Sequence, residues 1–61
     1  MMLAEDVKRL RLERGLSQEA FAHFLGVTLQ SVSCWERGIT RITPERELWI
    51  KTKLGLDAER S

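Results

Sequence analysis

A chain of 61 residues with one cysteine and one histidine cannot close an internal disulfide or assemble a tetrahedral metal site, so helix packing or self-association must stabilise it. No apolar run approaches the ~20 residues of a membrane span, and the apolar N-terminal residues are too few for a signal peptide; the expectation is one soluble cytoplasmic domain, 1–61, with its core in about 3–56. Net charge is only +1, but Lys8, Arg9, Arg11 and Arg14 fall in the first predicted element, while Arg37, Arg41 and Arg46 gather after the third.

Every glycine is followed by an aliphatic residue: Gly15-Leu16, Gly26-Val27, Gly38-Ile39 and Gly55-Leu56. That pair is a helix stop, with a left-handed glycine at C′ and the next side chain folded back on the last turn. Four stops predict four helices, and no segment alternates with period two. The fold class expected is therefore all-α, a compact bundle of four helices with room for a short fifth turn. The first helix runs from about Leu3 to Arg14, with Leu3, Val7 and Leu10 inward. The second starts at Ser17, a good N-cap, and ends at Leu25, burying Phe21, Ala22 and Leu25. The third lies in LGVTLQSVSCWERGI, spans about 28–37 behind a Thr28 cap, and has Val32 and Trp35 as its apolar stripe. The fourth opens on Thr43-Pro44, cap then N1 proline, and runs to Leu54 with Leu48, Ile50 and Leu54 inward. The tail 57–61, DAERS, is expected to fray.

Only Gly26 and Val27 separate the second helix from the third. So short a connection forces a sharp turn and makes the pair a helix-turn-helix. At QEAFAHFLGVTLQSVSCWERG the chain resembles the Cro/CI-type (XRE) helix-turn-helix family, a lambda-repressor-like DNA-binding domain. Gln18, Phe21, Ala22, Leu25, Gly26, Val27, Val32, Trp35 and the closing Glu36-Arg37-Gly38 carry the resemblance. KRLRLERGLSQE is similar to the family's first helix and the turn after it, so the likeness covers about Asp6 to Leu56. There are two departures. LDAERS is too short and polar to supply the family's fifth helix, and Glu47 and Lys51 stand where such proteins often have Leu and Ala. The resemblance implies a sequence-specific transcriptional regulator of bacterial or phage type, a repressor that binds a palindromic operator as a homodimer. It also implies an internal ion pair between Arg11 and Glu36.

With Val32 and Trp35 turned inward, residues 30, 33, 34 and 37 point outward. Their neighbours on that face are short and nearly uncharged where an ordinary surface helix would carry Glu and Lys. A helix entering the ~12 Å wide major groove has that requirement, because long or acidic arms would meet groove walls and phosphates. Gln30 is a candidate base contact, able to bond adenine bidentately; Leu29 and Cys34 are candidates for thymine methyls, and Ser33 joins them. Gln18 opens the second helix, where dipole and free N–H groups favour anions, and resembles the family's phosphate-bonding residue. Thr28, Ser31, Arg37 and Arg41 complete the expected phosphate contacts. Trp49, Ile50 and Leu56 form the expected dimer surface. His23 has no second ligand spaced to join it and reads as a surface residue. The expected partner is double-stranded DNA, with no cofactor, metal or membrane. No catalytic constellation or phosphate-cradling loop is present, so no enzyme is expected. The alternatives are an antitoxin-type protein, or a protein-interaction module, on the same fold.

Overall fold

Short hydroxyl side chains start three of the four helices. In the computed structural model, which describes residues 1–56, Ser17 caps α2 (Gln18–Leu25), Thr28 caps α3 (Leu29–Glu36) and Thr43 caps α4 (Pro44–Leu54). Each hydroxyl oxygen accepts a backbone N–H three residues on, from Ala20, Ser31 and Arg46, at 3.1 Å. The start of α1 (Ala4–Glu13) is different, because Leu3 has no side-chain acceptor. Instead the Asp6 carboxylate reaches back and accepts the Leu3 N–H at 2.8 Å. That bond, joined by Arg9, holds the Asp6 carboxyl below its ordinary range against the opposing effect of burial.

The helix ends share one device. The N–H of each residue after a glycine donates to the carbonyl five residues back: Leu16 to Arg11, Val27 to Ala22, Ile39 to Cys34 and Leu56 to Lys51, at 2.9–3.3 Å. Leu16, Val27 and Leu56 also fold onto the core, whereas Ile39 stays 62% exposed. Gly26 shows why the position needs glycine. Its φ is +77°, and a Cβ built there would meet nothing within 4 Å. Gly26→Ala should therefore destabilise only through the left-handed backbone, by about 1–2 kcal/mol in thermal melts. An unchanged melting temperature would show that the turn does not demand that conformation.

Val7 and Leu10 of α1, Phe21, Ala22 and Leu25 of α2, Val32 and Trp35 of α3, Ile42, and Ile50 of α4 form the core together with Met2. The third helix packs on both α1 and α2, and α4 packs on α2. Two expected core residues are not in it. Leu3 sits at the N-cap, half exposed, and Met2 goes inward in its place. Leu48 is 59% exposed. At about 100° per residue Leu48 and Ile50 lie roughly 200° apart around the helix, so the core can take only one of them. It takes Ile50, and Leu54 one turn later on the same face.

Glu47 shares that inward face, which explains how an acid can stand there. One carboxylate oxygen accepts the Met2 N–H at 3.1 Å and the other pairs with Lys51 Nζ at 3.0 Å. The Lys51 hydrogen bond is the main reason its pKa lies below the ordinary value. A second tether is Trp49, whose indole N–H donates to the Leu25 carbonyl at 2.8 Å and so satisfies an open acceptor at the end of α2. The Lys53 ammonium sits 5.0 Å from the Trp49 ring centroid. The frayed tail expected over 57–61, and any fifth turn there, lie outside the described residues.

Candidate nucleic-acid interface

The left-handed turn at Gly26 swings the chain from α2 into α3, and Val32 and Trp35 anchor the inner side of α3 in the core. The opposite side is open. Leu29 keeps 47% of its surface exposed, Gln30 and Arg37 are exposed, and Ser33 and Cys34 are half-buried. The outward positions expected from helical spacing are thus brought onto one face.

At the start of this face Thr28 Oγ1 accepts the Ser31 N–H and donates its own proton to Ser31 Oγ at 2.9 Å. The pair is polarised outward, because Ser31 accepts from Thr28 and keeps its own O–H to give elsewhere. Thr28, Gln30, Ser31, Cys34 and Trp35 line a shallow depression of about 240 Å³, and Thr40 joins them in its lining. Sequence reasoning missed Thr40. It belongs to the loop after α3, and no local signal says that the loop returns to the helix start.

The charges are sorted as well as the shapes. Arg9 and Arg14 are paired with acids of α1, and Lys51 with Glu47. Among the described residues, Arg37, Arg41 and Arg46 are exposed and make no ion pair, and Lys8 and Lys53 likewise make none. The only acid of α3 is Glu36, and its charge is consumed internally. Arg11 Nε donates to one Glu36 oxygen at 2.7 Å and a terminal guanidinium nitrogen to the other at 3.1 Å. The remaining guanidinium nitrogen donates to the Leu16 carbonyl at 2.9 Å. Both side chains are close to dry, 11% and 5% exposed. Burial pushes the Glu36 carboxyl up, but hydrogen bonds from Arg11 and Gln18, with the Arg11 and Lys8 charges, outweigh it and leave it below its ordinary value. The same bond raises Arg11 further.

Gln18 holds a double position. Its side-chain amide donates to Glu36 at 3.1 Å, a bond sequence reasoning did not anticipate, while its backbone opens α2. Glu36 therefore ties α1, α2 and α3 at one point and orients the amide beside the α2 N-terminus. The residues expected to form a dimer surface are divided. Trp49 is 44% exposed, Leu56 is partly buried against the core, and Ile50 is wholly buried. Ile50 is thus a core residue and not part of any outer surface, because it occupies the inward phase of α4. His23 is exposed, and no cluster of metal-binding side chains occurs among the described residues. No helix among them is long and apolar enough to cross a membrane.

A family model described as helix-turn-helix matches residues 7–46, more than half of the chain, from the inner face of α1 to the start of α4. No curated protein and no solved structure matches the sequence. The matched span holds the Arg11–Glu36 tie, the Gly26 turn and the open face of α3, and the chain belongs to the Cro/CI-type (XRE) helix-turn-helix family of DNA-binding domains.

Proposed function

We propose that the protein is a sequence-specific transcriptional regulator, a repressor that sets α3 into the major groove of a two-fold operator. One observation carries this reading: the exposed face of α3 bears no acid and no long arm, and unpaired Arg37 and Arg41 follow it. That is a surface able to approach base edges, with cations beyond its C-terminal end available for the backbone. Gln30, Leu29, Ser33 and Cys34 are the base contacts. Arg37 and Arg41 hold phosphates, joined by the Ser31 hydroxyl beside its Thr28 cap and by the Gln18 amide that Glu36 orients. The whole chain acts as one such domain. Selection from random duplex DNA tests the proposal. Enrichment of a palindrome whose half-sites lie about one helical turn apart is the expected result. Binding that stays indifferent to sequence after selection would overturn it.

Two-fold DNA calls for a two-fold protein. The outer surface of α4, with Leu48 at 59% and Trp49 at 44% exposed, is the face offered to a second copy, with Leu56 at its edge. Trp49→Ala should shift a sedimenting dimer toward monomer at equal concentration. Because Trp49 also bonds Leu25, Leu48→Asp is the companion variant that leaves the tether intact. A wild type that sediments as a monomer at high micromolar concentration, with operator DNA present, removes the dimer from the proposal.

A further inference from the structure

Leu29 occupies the first position of α3 and leaves 47% of its surface to solvent. Leu25, Val27 and Val32 lie in the core or pack against it, whereas Leu29 is not among the residues that do. At about 100° per residue, Leu29, Ser33, Gln30 and Cys34 spread in that order over about 140° of the helix surface. The face thus has an isobutyl group at one edge, a thiol at the other, and two neutral polar side chains between. Nothing on it is charged, yet unpaired Arg37 and Arg41 follow directly. The cations identify the occupant as a polyanion, and the apolar edges then need an apolar group on that polyanion. Base edges in the major groove present one such group, the C5 methyl of thymine. The same methyl stands at the same ring position in 5-methylcytosine.

We infer that α3 reads pyrimidine C5 methyl groups through Leu29 and Cys34, so that thymine and 5-methylcytosine are equivalent where those side chains touch the operator. The inference rests on the proposed placement of α3 in the major groove. Gln30, between the two edges, bonds an adenine, so the half-site is rich in A·T pairs read from both strands. Cytosine methylation at a touched position raises affinity about as much as the thymine methyl does, which makes the operator sensitive to a modification that leaves its base sequence unchanged.

The experiment uses the duplex obtained by selection. At each pyrimidine of the half-site, affinity is measured with thymine, deoxyuridine, 5-methylcytosine and cytosine in turn, the last two opposite guanine. Removing one methyl from an apolar contact corresponds to about fourfold in affinity. The expected result is a loss of about that size from thymine to deoxyuridine at two positions. A gain of similar size from cytosine to 5-methylcytosine is expected at the same two. Leu29→Ala should erase both effects at one position and Cys34→Ser at the other, with melting temperatures confirming that each variant folds. Equal affinity for thymine and deoxyuridine throughout the half-site overturns the inference, as do methyl effects that survive both substitutions. An enriched operator without methyl effects sinks this inference alone. Failure to enrich any sequence sinks the proposed function with it.

Discussion

Glu36→Gln should lower stability by roughly 3–5 kcal/mol, the cost of leaving one partner of a buried pair uncompensated. A domain of this length has only about 3–9 kcal/mol in total, so the variant should be largely unfolded well below the wild-type melting temperature. The size of the effect follows from what Glu36 holds. Both Arg11 and Glu36 are nearly excluded from water, and the Gln18 amide hangs on the same carboxylate. A glutamine there keeps the volume but cannot neutralise the guanidinium. Acid should act in the same direction. The folded Glu36 pKa lies below its ordinary value, so its stabilisation is complete above the unfolded value of about 4.3 and is lost as pH falls through the folded one. Wild-type stability should therefore fall below about pH 4.3. Glu36→Gln should show a shallower acid limb, not a flat one, because Asp6 and Glu47 are also held below their ordinary values. Chemical denaturation at pH 7 and pH 4 checks both statements. A variant as stable as the wild type at pH 7 would show that the pair carries no structural weight.

Gln30→Ala should cost about 1–3 kcal/mol on the preferred operator and almost nothing on random duplex, because a bidentate amide discriminates one base and binds no backbone. The Gln30 side chain is exposed and makes no hydrogen bond within the described residues, so the substitution leaves the fold intact. Arg41→Ala is its opposite. Arg41 lies in the loop after α3, exposed and without an ion pair, and in the proposed complex its charge would meet phosphates. Its loss should weaken binding to every sequence alike and lower the salt slope by about one. Titrations of both variants at two salt concentrations, on operator and random duplex, separate the roles. Equal weakening of both duplexes by Gln30→Ala would show that α3 does not read bases as placed.

The helix boundaries were legible because capping is local: Ser17, Thr28 and Thr43 at the starts and the glycine-aliphatic pairs at the ends sit within one turn of the groups they satisfy. The phase of α4 was not. Leu48 and Ile50 compete for the inward direction, and the residue that shares the face with Ile50 is Glu47, a charge that sequence patterning assigns to solvent. Lys51 one turn on and the Met2 N–H, brought from the other end of the chain, together make that charge tolerable, and the second of these has no local signal. The interface divides the same way. The open face of α3 follows from spacing once Val32 and Trp35 are inward. The Gln18–Glu36 bond and the position of Thr40 depend on how separate elements meet, and no short stretch of sequence encodes that.

The unequal attachment of α4 has a consequence for how the molecule comes apart. The first three helices meet at one dry carboxylate, whereas α4 and its exit are held by Ile50, the half-buried Leu54 and Leu56, one indole N–H and one peptide N–H from Met2. Local opening draws on the least anchored element first. Amide protons of α4 therefore exchange through partial openings that leave α1, α2 and α3 assembled, and those of α3 exchange only through global unfolding. In the proposed complex, the helix set to read bases would be insulated from the one offered to a second copy, so that subunits could separate and rejoin while the reading surface keeps its shape.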